Sequence, residues 1–228
     1  MAPPPNETAE RYERQVDDAI RFARREHAFF LAAKARALLD LVDRRLRTGA
    51  PVRALDVGCG DGRLDAMLEP LDELHGVDVS PEMVAAAGEN VPRGRFQVAD
   101  ATQLPFSDGT YDLTFTVCAL HHVAPAKRPT VMRELARVTA SGGLVVVFEH
   151  NPLNPLTRLV VRRCAFDEGV ELVGRRRLWD LARAAGLAVE ETRYVLLFPW
   201  AGAPFAQLER RLGRIPLGAQ YFVAGRAG

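Results

Sequence analysis

The rhythm of apolar and polar positions divides the chain into three stretches. From Glu7 to Arg47 neither Pro nor Gly interrupts, and Ile20, Phe22, Phe29, Phe30, Leu31, Ala35, Leu38, Leu39, Val42 and Leu46 recur mostly at three- and four-residue steps. That spacing lines them along one stripe of an amphipathic helix and predicts two helices with a break before Phe29. Gly49 and Pro51 end the run. The period then changes. Short apolar runs at Val52–Val57, Leu74–Val79, Arg95–Ala99, Tyr111–Val117 and Leu144–Phe148 alternate with helical patterns over Arg63–Leu68, from Ser80-Pro81-Glu82, and over Arg128–Val138. Ser80 reads as an N-cap with Pro81 in the first helical turn, where its missing N–H is harmless. Asp108-Gly109 and Ser141-Gly142-Gly143 are turn signals. Strands and helices alternating at this spacing predict βαβ units and a parallel sheet. In the third stretch, Asn151-Pro152-Leu153-Asn154-Pro155 breaks the rhythm. A helix over 175–185 closes at Gly186, Ala188–Phe198 is strand-like, Pro199–Pro216 is rich in Pro, Gly and aromatics, and Ala219–Ala224 is a last strand.

Composition narrows the class. At 228 residues with 48% hydrophobic and 26% charged residues, the chain can bury one core, which excludes disordered and collagenous classes. Thirty basic against 29 acidic residues leave a formal net charge of +1, which argues against a nucleic-acid partner. Cys59, Cys118 and Cys164 form no CxxC, so neither a disulfide framework nor structural zinc is expected, and a reducing cytoplasm fits. The first residues lack a secretory pattern, and no run approaches the ~18 apolar residues of a membrane span. The expectation is a cytoplasmic protein with no membrane and no nucleic acid among its partners.

The densest chemistry lies in Asp56-Val57-Gly58-Cys59-Gly60-Asp61-Gly62, after a strand and before a helix, where the backbone must turn sharply and let a ligand approach. A dinucleotide fingerprint would be G-x-G-x-x-G. Here Arg63 takes the third glycine's place, and Asp56 stands just before the first. A carboxylate there serves a pyrophosphate poorly and a cationic amine well. Asp78 and Asp100 end the next two strands, each 22 positions after the acid before it. Successive strand ends line one crevice in a doubly wound sheet. Asp78 is therefore placed for ribose hydroxyls and Asp100 for an adenine edge.

Four segments in order carry a resemblance: Ala54–Gly62, Gly76-Val77-Asp78-Val79-Ser80-Pro81-Glu82-Met83, Val98–Phe106, and Tyr111-Asp112-Leu113 with Ala119-Leu120-His121-His122-Val123. Together they resemble the class I S-adenosylmethionine-dependent methyltransferases, of the type 11/25-like, small-molecule branch, over about residues 50–150. The resemblance implies an α/β fold: a three-layer, Rossmann-like doubly wound sheet of seven strands with the last antiparallel, here with an N-terminal helical cap. It divides the chain into a cap or lid (1–50), a cofactor-binding core (51–150) and a completion of the sheet with substrate-pocket insertions (151–228). It implies S-adenosyl-L-methionine as cofactor and S-adenosyl-L-homocysteine as product. In the roles it implies, Gly58, Cys59 and Gly60 lie against the methionine part and Asp78 takes the ribose hydroxyls. Val79 and Met83 flank the adenine, Asp100 and Ala101 meet its edge, and Cys118 offers backbone at the amino-acid end. Asp56 completes the set.

Methyl transfer asks mainly for alignment, with a base if the acceptor is a hydroxyl. The base candidates after strands four and five are His121, His122, Glu149 and His150, with His150 favoured because contacts to the cofactor fall on earlier loops. No metal is expected: Cys118 stands where a metal-dependent O-methyltransferase has Asp, Glu149-His150-Asn151 replaces its Asp-Asn pair, and adjacent histidines rarely share one ion. Asn151 and Asn154 are read as turn formers, and Phe198, Trp200 and Phe205 as a candidate apolar wall. Arg158, Arg162 and Arg163 are candidates for an anionic substrate group. The leading reading is a methyltransferase of a small-molecule acceptor, a monomer or homodimer, possible in natural-product or saccharide biosynthesis. The alternatives are a nucleic-acid or protein methyltransferase, a non-catalytic binding subunit, and a cofactor-dependent enzyme that moves no methyl group.

Overall fold

The computed structural model describes residues 14–15, 27–46, 50–69, 71–164, 167–198 and 203–228. Most of the predicted first N-terminal helix, and Trp200, lie outside them. The elements run α1 (His27–Arg45), β1 (Arg53–Val57), α2 (Arg63–Ala66), β2 (Glu73–Asp78), α3 (Pro81–Asn90), β3 (Arg95–Val98), β4 (Tyr111–Val117), α4 (Arg128–Val138), β5 (Thr139–His150), α5 (Pro155–Arg163), α6 (Arg175–Ala184), β6 (Ala188–Val195), α7 (Ala203–Leu212) and β7 (Gln220–Arg226), with a short 3-10 turn at Leu120–His122 after β4.

One seven-stranded sheet has the order β3-β2-β1-β4-β5-β7-β6. Strands β1 to β5 pair in parallel, and β7 runs antiparallel to both β5 and β6. This is the Rossmann-like doubly wound sheet that the motifs imply. Alternation builds both of its faces. On β5, Leu144, Val146 and Phe148 enter one core with Leu38, Leu41 and Val42 of α1, while Val145 and Val147 enter the other with Leu135 of α4 and Leu178 of α6. The two-residue period of a strand sends successive side chains to opposite layers, and each large apolar side chain so buried contributes roughly 1.5–3 kcal/mol. The strand order reverses at β1 and β4, and the crevice beyond their carboxyl ends is where open α/β sheets bind ligands.

Three local readings change. Helix α5 begins where the sequence breaks rhythm: Asn154 caps it, its side chain accepting from the Leu156 and Thr157 N–H groups, and Pro155 follows at the first helical position. The Asn-Pro pair is thus a helix start rather than a loop. Strand β5 runs through Ser141-Gly142-Gly143 instead of starting after it. The stretch 199–216 contains α7, whose Glu209 Oε1 accepts from the Leu197 N–H at 2.8 Å.

Candidate active site

The glycine loop after β1 is held in a left-handed shape, with Gly58, Gly60 and Gly62 at φ of 84°, 55° and 74°. A Cβ on Gly58 would stand 2.6 Å from the Ala119 Cβ, so the loop after β4 packs directly against it. Around Gly60 nothing lies within 4 Å of where a Cβ would be, so its backbone faces open space. The Asp78 carboxylate ties this loop to the end of β2: Oδ2 accepts from the Gly60 N–H at 3.0 Å and Oδ1 from the Ser80 N–H at 2.9 Å. Ser80 Oγ in turn accepts from the Met83 N–H at 3.2 Å, as its reading as N-cap requires.

A cavity of about 510 Å³ opens above these strand ends, a size suited to a small ligand. Asp56, Gly58, Cys59, Gly60 and Asp78 line it on the first side, Val79, Met83 and Ala101 on the second, and Cys118 and His122 on the third. Asp100 is not in its lining. Its Oδ1 accepts from the Thr102 N–H and hydroxyl, both at 2.8 Å, which holds the loop that brings Ala99 and Ala101 to the wall.

Asp56 is buried, and its carboxyl pairs with that of Asp65; apart from this contact, Asp56 Oδ1 and both Asp65 oxygens have no hydrogen-bond partner among the described residues. Burial, then the neighbouring Asp65 and Asp78, raise the Asp56 carboxyl well above the usual range. Burial raises Asp65 too. Lys34 reaches the same cavity from the buried face of α1 and is the cation that opposes this shift at Asp56. Lys34 belongs to none of the sequence motifs that mark the site. Its signal was a charge at the core position between Leu31 and Leu38, in a chain whose other lysine is Lys127. Burial pushes the Cys118 thiol up to about 12 and raises that of Cys59, so neither is a ready nucleophile.

The four base candidates do converge, and Asp167 joins them. Glu149 is fully buried at the end of β5. Its Oε1 accepts from the His121 backbone N–H at 3.2 Å, and its Oε2 lies 2.8 Å from His121 Nδ1. Asp167 Oδ1 is 3.4 Å from His121 Nε2 and 3.4 Å from His122 Nε2. Ring centroids lie 4.2 Å apart for His121 and His122 and 5.0 Å for His121 and His150. The buried Arg128 braces the turn, donating to the carbonyls of Val123, His121 and Glu171 at 2.9, 3.3 and 2.7 Å. Burial pulls His121 down, but Glu149 and Asp167 outweigh it and hold the imidazole at about 9. Burial and the adjacent His121 lower His122 and take His150 to about 4. Of the four, His122 faces the cavity; His150 and Glu149 lie outside its lining.

The remaining candidates act locally. Asn151 Nδ2 donates to the carbonyls of Pro216 and Gly218 at 3.1 and 2.8 Å, while Oδ1 accepts from the Leu153 N–H at 3.0 Å. Phe198 and Phe205 contact each other with ring centroids 6.1 Å apart. Arg158, Arg162 and Arg163 lie on α5.

Residues 54–143 match the family model described as a methyltransferase domain. A demethylmenaquinone methyltransferase of Thermus thermophilus is 39% identical over 110 residues, covering 45% of this chain and 49% of that protein. The chain spans about half the length of the curated relatives it matches, between 36% and 55%. Among solved structures, a possible histamine N-methyltransferase of Thermotoga maritima has a TM-score of 0.64 at 21% identity, covering 93% of this chain and 100% of that one. A geranyl diphosphate C-methyltransferase of Streptomyces coelicolor, solved with S-adenosyl-L-homocysteine, has a TM-score of 0.63 at 16% identity, covering 86% and 79%. Residues 54–143 thus match a methyltransferase domain, and the chain has the Rossmann-like fold those structures share.

Proposed function

We propose that the protein transfers a methyl group from S-adenosyl-L-methionine to a small-molecule acceptor. The observation that carries this reading is the buried Asp56 carboxyl, paired with that of Asp65, beside an open Gly60 backbone, with Lys34 in the same cavity. An ammonium fits Asp56, a carboxylate fits Lys34, and the two together suit the zwitterionic end of an amino acid. Asp78 keeps lone pairs for ribose hydroxyls beyond the two amides it already accepts. Val79, Met83 and Ala101 give the adenine an apolar slot.

When bound, the cofactor supplies a methyl group activated by a sulfonium. The chain's own task is alignment, which supplies roughly 7–11 kcal/mol of the barrier reduction. His122 is the base in this reading. It is on the cavity wall, and its lowered pKa keeps it neutral and able to take a proton near pH 7. With Nε2 toward Asp167, its Nδ1 is left for the acceptor's proton. His121, Glu149 and His150 position that ring from behind. The finer expectations of natural-product or saccharide chemistry and a cytoplasmic site belong to this proposal. The described residues contain no helix long and apolar enough to cross a membrane.

Calorimetric titration with S-adenosyl-L-homocysteine, followed by product detection with candidate acceptors, tests the reading. Saturable binding at one site per chain is expected. No heat, together with no rise in melting temperature at excess ligand, contradicts it.

A further inference from the structure

We propose that His121, His150 and Asp167 form a binding site for a divalent transition-metal ion beside the cofactor cavity. The inference goes beyond the methyl-transfer reading, in which these three side chains only position His122, and metal binding is measured without any turnover.

One donor atom from each of the three lies within 4.8 Å of the others. The His121 Nε2 to Asp167 Oδ1 distance is 3.4 Å. Donors held at ~2.0–2.2 Å by a four-coordinate ion stand roughly 3.3–3.5 Å apart, so that pair is already at ligand spacing. Two imidazoles and one carboxylate favour zinc, iron(II), cobalt(II) or nickel(II) over magnesium or calcium, which take oxygen.

The surroundings add an independent argument. Glu149 Oε2 sits 2.8 Å from His121 Nδ1 and fixes the ring with that nitrogen protonated. Its Nε2 faces the Asp167 carboxylate at 3.4 Å, where a metal ion would take the place of the proton that otherwise bridges the pair. A carboxylate behind a ligating histidine is the arrangement that orients metal-bound imidazoles. His150 is served in a similar way. Its Nδ1 is 3.4 Å from Gln220 Nε2, while Gln220 Oε1 is buried without a partner. Turning that amide gives Oε1 the Nδ1 proton and leaves His150 Nε2 a lone pair for the ion. His122, with its Nε2 at 3.4 Å from the same Asp167 oxygen, lies between the ion and the cavity. The sequence expectation of no metal weighed His121 against His122 as neighbours. The fold instead brings His121 to residues 29 and 46 positions further along the chain.

The test uses full-length protein stripped with a chelator and titrated with cobalt(II) near neutral pH. Expected are one ion per chain, the visible absorption of a four- or five-coordinate site, and displacement by zinc. Asp167→Ala, at a half-buried position, keeps the fold by circular dichroism and weakens cobalt binding by at least about 100-fold, and Glu149→Gln weakens it by roughly 10–100-fold. No cobalt spectrum in the wild-type protein overturns the proposal, because a proton then fills the gap between His121 and Asp167. A spectrum unchanged in Asp167→Ala also overturns it, because the ion then sits elsewhere.

Discussion

The two ends of the crevice are built in different ways. The cofactor end is made of backbone: three left-handed glycines, a capped helix and amides locked onto Asp78, all within short contiguous motifs. The acceptor end is made of side chains that meet across long sequence distances, His121 with Glu149 and Asp167. The charge states differ as well. At the cofactor end, the buried Asp56 and Asp65 carboxyls are paired with each other, and burial raises both. At the acceptor end, His121 already lies between two carboxylates. In the proposed reading, the first end meets the cofactor and the second the acceptor.

If that division is right, mutations should separate binding from rate. His122→Ala is expected to lower turnover by roughly 10²–10⁴ with cofactor affinity nearly unchanged, measured by steady-state kinetics beside calorimetry. His150→Ala is the control, since the order of strand ends favours it as base and the cavity lining favours His122. A larger rate loss in His150→Ala would return the base to that position. Asp78→Ala should act on the other side, weakening cofactor binding by about 1.5–3 kcal/mol for each charged hydrogen bond lost. Unchanged affinity would remove Asp78 from the site. Gly58→Ala places a Cβ 2.6 Å from Ala119 at a φ of 84°, and should cost about 1–3 kcal/mol in urea denaturation as well as binding. Full stability would mean the β4 loop can move away.

The last of these tests concerns pH. Burial raises the folded-state pKa of Asp56 and Asp65. Such a group stabilises the fold while protonated, below its unfolded value, and that contribution is lost as pH rises through the folded value. His27, His122 and His150, whose pKa values are lowered, add stability as pH rises toward their unfolded value, so thermal melts of the unliganded protein should fall from about pH 6.5 to about pH 8. Asp65→Asn, neutral throughout, should flatten part of that slope. An identical slope in the variant would mean Asp65 is ionised in the folded state.

The same contrast explains what was legible. The sheet and the cofactor end follow from local signals: alternation on β5, the Ser80-Pro81 cap, and glycines followed by acids at strand ends. Asp100, expected at an adenine edge, has its Oδ1 on its own loop, because an exposed acid two residues before Thr102 finds that N–H first, and it does not line the cavity. Asp167 was missed because nothing near it in sequence marks it. Its meaning comes from packing against a turn 46 residues away. Helix α5 was missed because Asn-Pro serves equally as a break and as a start. The lid expected over 1–50 rests on residues that mostly lie outside those described.

The account's central claim is that the cavity holds the cofactor with its amino-acid end at Asp56 and Lys34 and its ribose at Asp78. A crystal structure of the complex with S-adenosyl-L-homocysteine tests this most directly. The account predicts the ammonium on the Asp56 carboxylate, the carboxylate facing Lys34, the ribose hydroxyls on Asp78, and the sulfur turned toward His122. A ligand bound in the reverse direction, or outside this cavity, would contradict it.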